Sequence, residues 1–446
     1  MECCHRSKRL REVAEIAAVL VAARDEESAI SRTIESLRAT FPGAEVIVAD
    51  DGSRDGTADA AQRAGARVLR LPARGKGQAL TVAERAAPPG RLLLVDADLD
   101  GDLTELAAAD GDLAIAVFAE RQGGGFGIAK RAGRLLIRAL SGFAPREPLS
   151  GQRALSQAAR ETCFPLAAGF GCEVRMTVDA VRSGLLVSEL ELPIRHRATG
   201  RDPAGFAHRG RQLLDAVLAA GPTAVNHRGL RLPLVGWVFG FRRDPATATV
   251  AAIGLADDLW SGDERGFRAH LGRRRSTGVL KLVGIPLVGL AASRKLSGAL
   301  LVGLAANFLN QLDTRPGRAL KAYLLAAPLA GAPAGAAVIL APYDLREMAM
   351  LGDSGANALG AMLGLRSVSK LTARGRWAAI GALAGLTLLG ETRSLGEVIE
   401  RTPLLRELDG LGRQPSPPGR RSTSSSPAAS SRLSVRGSPP PRSAVF

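Results

Sequence analysis

Short, mainly apolar runs alternate with helix-spaced segments through the first half of this chain. The runs are residues 16–22, 46–49, 68–71 and 92–95. Between them, residues 26–38 repeat Ile30, Ile34 and Leu37 at helical spacing, and 57–64 and 78–86 share that character. Apolar runs without polar alternation fit strands covered on both faces, as in parallel sheets. Strand and helix alternating through short links predict an α/β domain with a doubly wound, mostly parallel sheet over residues 14–215. Right-handed crossovers then bring the strand ends to one edge.

Beyond about residue 212 the pattern changes. Uncharged apolar stretches recur at 232–241, 245–256, 282–293, 296–312, 322–343 and 377–390. They predict an all-α membrane domain over 222–412, with buried helices of a soluble domain as the alternative. Only 322–343 clearly reaches the roughly 20 residues that one span needs. Arginines at 273–275, 315 and 318 fit cytoplasmic loops between spans. Residues 414–446 are Ser, Pro and Arg without period, and a disordered tail is expected there.

Two apolar runs end in carboxylates. Residues 46–49 lead into Asp50-Asp51-Gly52-Ser53-Arg54-Asp55-Gly56-Thr57, and 92–95 lead into Asp96-Ala97-Asp98. Open α/β sheets bind ligands in the crevice at such strand ends. Asp96 and Asp98 are two apart, so on an extended backbone they face one way. Paired hard oxygen donors suit Mg2+ or Mn2+, with the phosphates of a diphosphate completing the shell. Asp100 is either a third ligand or a solvated turn residue before Gly101.

Composition narrows the classes. The 446 residues suffice for two or three domains. Lys and Arg number 59 against 43 Asp and Glu, a net charge of +16. That excess reflects either a general arginine bias with a basic tail or contact with phosphates or an anionic membrane face. Aromatics make up only 4%, too few for stacking platforms, so no nucleic-acid partner is expected. Cys3, Cys4, Cys163 and Cys172 form no CxxC and have no paired histidines, which excludes zinc and suits a reducing compartment. Residues 1–11 are charged and lack the apolar segment of a secretory signal, so the first domain is expected in the cytosol.

Five segments in order carry a resemblance: Ala22-Ala23-Arg24-Asp25-Glu26-Glu27, the Asp50–Thr57 run, Gly75-Lys76-Gly77-Gln78-Ala79, Asp96-Ala97-Asp98, and Ser150-Gly151-Gln152-Arg153-Ala154. Together they resemble a family 2 glycosyltransferase of the dolichyl-phosphate-mannose synthase and glucosyl-3-phosphoglycerate synthase type. The resemblance implies a GT-A fold, a UDP- or GDP-sugar donor, and Mg2+ or Mn2+. By position it implies that Glu26, Asp50 and Asp51 contact the nucleoside, Lys76 approaches the donor, and Asp96 and Asp98 hold the metal, Asp98 also serving catalysis. In Gly169-Phe170-Gly171-Cys172-Glu173, Glu173 is either the base or a carboxylate favoured by a helix N-terminus. His208 is either a further metal ligand or a surface histidine; His196 lies in the same basic stretch, and Arg195, Arg197 and Arg201 are candidates to grip an acceptor phosphate. Ala22 and Arg24 stand where related enzymes usually have proline and an aromatic, which leaves the donor base open.

A second group, Asn226-His227-Arg228-Gly229, Asp257-Asp258, Lys281, Asn307 to Asp313, and Gly352-Asp353-Ser354-Gly355, resembles the polyprenyl-phosphate N-acetylhexosamine-1-phosphate transferases. It implies Mg2+, a UDP-sugar and a polyprenyl phosphate acceptor. By position Asp257, Asp258 and Asp313 would be catalytic carboxylates, Asp353 a metal ligand, and Lys281, Asn307 and Asn310 their helpers. Asp313 is followed by Thr314-Arg315-Pro316-Gly317 where that family has a second acidic pair with glycine. The expected protein is thus a multi-pass enzyme with its first domain at the cytoplasmic membrane face. Its second half is either an active phosphosugar transferase or an inactive anchor.

Overall fold

The computed structural model describes residues 16–119, 127–194, 203–226, 229–241, 244–260 and 277–413. All of them fall within one compact unit, Met1–Arg413. The 414–446 segment, where a disordered tail is expected, lies outside the described residues.

The apolar runs form β1 (Ile16–Ala23), β2 (Glu45–Asp50), β3 (Arg67–Arg70) and β4 (Arg91–Asp96), joined through α1 (Glu27–Thr40), α2 (Thr57–Arg63) and α3 (Lys76–Ala86). Next come α4 (Thr104–Ala107), β5 (Leu113–Phe118), α5 (Ile128–Ser141), β6 (Arg153–Leu155), α6 (Gln157–Cys163), α7 (Cys172–Arg182), β7 (Val187–Leu192) and α8 (Pro203–Ala220). The seven strands order as β3-β2-β1-β4-β6-β5-β7. Only β6 runs antiparallel to its neighbours, β4 and β5. The mostly parallel α/β sheet is therefore as the sequence predicts.

Both faces are covered, which explains the unbroken apolar runs. Val19, Val21, Val48, Leu93 and Val95 face one layer with Ile30, Ile34 and Leu37 of α1. Leu20, Ile47, Leu92 and Leu94 face the other with Leu80 and Ala83 of α3. Each fully buried Leu or Ile contributes about 1.5–3 kcal/mol. Register fixes the site: Ala23 pairs with Asp50 and Ala22 with Asp96, so both aspartates flank the end of β1.

A hairpin, β8 (Thr223–Val225) and β9 (Arg231–Pro233), leads into the helical half. There follow α9 (Pro245–Trp260), α10 (Thr277–Ser293), α11 (Leu296–Leu312), α12 (Arg318–Ala330), α13 (Gly335–Leu345), α14 (Gly352–Lys370), α15 (Ala373–Thr392), α16 (Leu395–Arg401) and α17 (Pro403–Gly410). Small residues let these helices approach closely. A Cβ on Gly360 of α14 would lie 2.4 Å from the backbone of Ala305 and Ala306 of α11.

The helical half departs from the expected membrane domain. The 322–343 stretch is broken at Gly331, whose φ of 69° ends α12, and resumes as α13. The 232–241 stretch forms part of β9 and a 3-10 turn, Gly236–Phe241. Helices α10 and α11 have 17 residues each, about 26 Å at 1.5 Å per residue, short of the roughly 30 Å hydrocarbon core. Helices α14 and α15 are longer, but α14 carries Asp353, Arg366 and Lys370, and α15 carries Arg374, Arg376 and Glu391. Among the described residues no helix is long and apolar enough to cross a membrane. The spans expected from the sequence are thus not found.

Candidate active site

The edge where β1, β2 and β4 end carries a buried ionic cluster. Lys76 opens α3, and its Nζ lies 2.5 Å from Asp96 Oδ1 and 2.7 Å from Glu173 Oε1. Glu173, in the first turn of α7, is 4% exposed and accepts a weak bond from the Cys172 thiol. Burial alone would lower the Lys76 pKa, but the Asp96 and Glu173 carboxylates outweigh it and hold the ammonium charged.

The loop before Lys76 is held through its backbone. Asp51 Oδ1 accepts the Arg74 N–H at 2.7 Å and the Gly75 N–H at 3.0 Å. Burial raises the Asp51 pKa against these bonds. Gly75 has φ 100° and passes so near the next wall that a Cβ would meet Gly169 Cα at 3.2 Å, so the turn requires glycine. Asp50 is buried and accepts the Ser53 N–H at 3.1 Å. The Glu26 N–H donates to Thr57 Oγ1 at 2.8 Å, which ties the start of α1 to that of α2.

Asp98 lies two residues past Asp96, half-buried in the turn after β4. The residues present fit a divalent cation bound together with a diphosphate. Among the described residues no group of three or more His, Cys, Asp and Glu is arranged to hold a metal. Asp96 and Asp98 are the carboxylates at this strand end, with Asp96 Oδ1 held by Lys76. Gly151 packs directly against the cluster: a Cβ there would lie 2.3 Å from Asp96 Oδ1 and 2.5 Å from Lys76 Nζ, so a side chain at this position would push into both. On either side, the Ser150 hydroxyl and both amide atoms of Gln152 are buried without a hydrogen-bond partner among the described residues. Buried orphans of this kind usually have a partner, and a bound ligand is one way to supply it.

Behind them Arg153 is fully buried, donating to Ser150 O at 2.8 Å, Thr177 Oγ1 at 2.9 Å and Pro148 O at 3.3 Å. Its structural weight is not apparent from the motif that contains it. His208 falls on α8, where its side chain lies outside the described residues, as do His196, Arg195, Arg197 and Arg201.

A second cluster forms in the helical half. Lys281 Nζ lies 2.6 Å from Asp257 Oδ2 and 2.5 Å from Asp353 Oδ2. Asp258 caps α14, accepting the Asp353 and Ser354 N–H groups at 2.9 Å each. Close packing makes this possible: a Cβ on Gly254, one turn earlier in α9, would lie 2.6 Å from Asp353 O. Burial pushes the Asp258 carboxyl up to about 6, and burial also raises Asp353 and Asp313. Asp313 ends α11 near the cluster, with Asp258, Asp344 and Asp353 adding to its rise. Asn307 and Asn310 are half-buried on α11, and no hydrogen bond joins either to these carboxylates among the described residues. Asp344, 2% exposed and bonded to the Gly317 N–H at 2.8 Å, escaped the sequence reading. The signal was present, because it too ends an apolar stretch. His227 and Arg228 lie outside the described residues.

Comparison with known proteins agrees with the first half. Residues 18–128 match the model of glycosyl transferase family 2. Glucosyl-3-phosphoglycerate synthase of Mycolicibacterium paratuberculosis is 32% identical over 238 residues, 45% of this chain and 71% of the relative. The chain therefore belongs to glycosyl transferase family 2, and it is a glycosyltransferase. Protein RfbJ of Shigella flexneri is 33% identical over 81 residues, 18% of this chain and 63% of that protein. The solved glucosyl-3-phosphoglycerate synthase of Mycobacterium tuberculosis with Mn2+, UDP and phosphoglyceric acid is 27% identical, with a TM-score of 0.40 over 47% of this chain and 82% of the other.

Proposed function

We propose that the chain transfers a sugar from a UDP-sugar to an acceptor at the end of β1, β2 and β4, with Mn2+ or Mg2+ bound beside the diphosphate. The observation that carries this reading is the Lys76–Asp96–Glu173 cluster packed against Gly151, with the buried polar atoms of Ser150 and Gln152 beside it lacking partners among the described residues. Asp96 and Asp98 would hold the cation, which when bound neutralises the charge that grows on the leaving nucleoside diphosphate. Lys76 adds a fixed positive charge at the same edge, kept in place by Glu173. Asp51 shapes the loop that brings Lys76 there. In the transfer, the acceptor hydroxyl oxygen forms the new bond to the anomeric carbon, the bond to the β-phosphate oxygen breaks with its electron pair leaving on the nucleoside diphosphate, and the hydroxyl proton passes to solvent. The relative's phosphoglyceric acid makes a phosphorylated small molecule the first acceptor to try. Incubation with a panel of UDP- and GDP-sugars, scoring the nucleotide released, tests this. Metal-dependent UDP release that Asp98→Ala abolishes supports it, and undiminished turnover in that variant refutes it.

A second reading rests on the Lys281–Asp257–Asp353 cluster: the helical half moves a sugar 1-phosphate from a UDP-sugar to a polyprenyl phosphate. The rival reading is an inactive anchor. Leu280, Leu282, Val283 and Leu287 are each about half exposed on α10, which favours a helical half resting against lipid. UMP release from a UDP-sugar plus lipid phosphate would support the phosphosugar transfer, and UDP release alone would exclude it.

A further inference from the structure

We infer that Glu347, carried by the helical half, is a positioning residue for the sugar-nucleotide loop of the first half; this rests on the proposed reading of the Lys76 site. The loop Arg74-Gly75-Lys76 is gripped from two sides. Asp51 holds its backbone N–H groups from the sheet. From the opposite half, Glu347 Oε2 lies 3.0 Å from Arg74 Nη1, with the two side chains only 8% and 12% exposed. The Gln78 amide, in the first turn of the helix that Lys76 opens, also donates to the Glu347 carbonyl at 3.5 Å. At the other end of that helix, Arg85 donates to the Gly229 carbonyl. The helix bearing the central lysine is thus clamped by the later part of the chain at both ends.

Glu347 itself occupies a costly place. It follows α13 with φ 56°, where a helix end normally places glycine. A carboxylate here gains nothing for the local backbone, and its buried partner is the arginine next to Gly75. The segment is anchored on its other side too. Met350 donates its N–H to Pro233 O at 2.9 Å and accepts the Val235 N–H at 2.9 Å. Glu347 is therefore held on a fixed strap, and a fixed carboxylate can set where Arg74 lies and where the loop runs.

Glu347→Gly separates the two effects, because glycine relieves the left-handed backbone while removing the carboxylate. Relief of the backbone is set against the Arg74 charge left unpaired, so the variant should melt somewhat below the parent protein while still folding. Its Kd for UDP with Mn2+ should rise about tenfold by calorimetry, and slow UDP-glucose hydrolysis should show the same rise in KM with kcat within about twofold. Arg74→Met breaks the pair from the other side and should give the same split. The double variant should add nothing further, since the two residues act as one pair. Asp51→Asn is measured in parallel. If it weakens UDP binding while both pair variants bind as the parent does, the role of Glu347 is overturned and the site reading stands. If Asp51→Asn and Asp98→Ala also leave UDP binding unchanged, the site reading itself falls. A Glu347→Gly protein that fails to fold leaves Arg74→Met to decide.

Discussion

The two halves of this molecule build nearly the same electrostatic object from different scaffolds. Lys76 sits 2.5 and 2.7 Å from Asp96 and Glu173; Lys281 sits 2.6 and 2.5 Å from Asp257 and Asp353. Beside each, one more aspartate is taken up by backbone N–H groups: Asp51 by Arg74 and Gly75, Asp258 by Asp353 and Ser354. In the first half Asp96 arrives through strand register and Glu173 through the first turn of α7. In the second the carboxylates arrive through helix packing at Gly254 and Gly360, where tenths of an ångström decide the approach. A lysine between carboxylates holds their charges together in both, and a divalent cation is the other species able to do so.

The largest effect separates the halves as catalysts. Asp98→Ala should lower sugar transfer about a thousandfold, if the cation it helps hold supplies about 4 kcal/mol in the transition state. Asp257→Ala should leave that reaction within about twofold. Initial rates of UDP release measure both, and equal losses in the two variants would break the distinction between the sites.

Removing each lysine tests whether the two clusters are alike. Lys76→Ala and Lys281→Ala each leave paired carboxylates without their counter-charge, and each should destabilise by about 3 kcal/mol in denaturant unfolding. Millimolar Mn2+ should then restore stability, by about 2.7 kcal/mol at a hundred times Kd. Restoration of Lys76→Ala alone would mark the helical cluster as structural.

How much of this was legible follows from the same contrast. The strand end at Asp96 could be read because an apolar run that stops at acids marks one. Lys76 stood out by its flanking glycines, Asp257 and Asp258 by ending an apolar stretch, and Asp353 by preceding a glycine-rich apolar one. The spans were misjudged because apolar composition alone does not separate a buried helix from a crossing one, and the break at Gly331 depends on local backbone. Glu347 was out of reach: it meets Gln78 across 269 residues, and no local pattern encodes such a contact. Orphaned atoms such as those of Gln152 exist only once the chain is folded.

Two glycine substitutions should give opposite signatures. Gly360→Ala drives a Cβ into the backbone of α11 and should cost about 1–3 kcal/mol of stability, with UDP affinity in the first half retained. Gly151→Ala meets the side-chain ends of Asp96 and Lys76, which can swing aside. Its stability should change by less than about 1 kcal/mol, while Mn2+-dependent UDP binding is lost. Thermal melts and UDP titrations of the same two proteins check both. Retained binding in Gly151→Ala would show that the ligand lies elsewhere.

The smallest effect tests the packed interior behind the first site. Cys163 is 1% exposed, and burial pushes its thiol from 9.0 up to about 12. Below pH 9 both folded and unfolded forms carry the proton, so its contribution is complete there. Between about 9 and 12 the unfolded chain gives up the proton while the folded chain keeps it, so stability falls as pH rises. The loss should approach about 1.4 kcal/mol for each pH unit within that window. Cys163→Ala should flatten this slope in unfolding measured at a series of alkaline pH values, and native Cys163 should resist alkylation until the chain unfolds. The cluster around Lys281 has no described thiol beside it, so variants there should keep the parent slope. Cys172, 1% exposed and also raised by burial, adds its own share, so a slope unchanged when both cysteines are replaced by alanine would show the layer beneath Lys76 open to solvent.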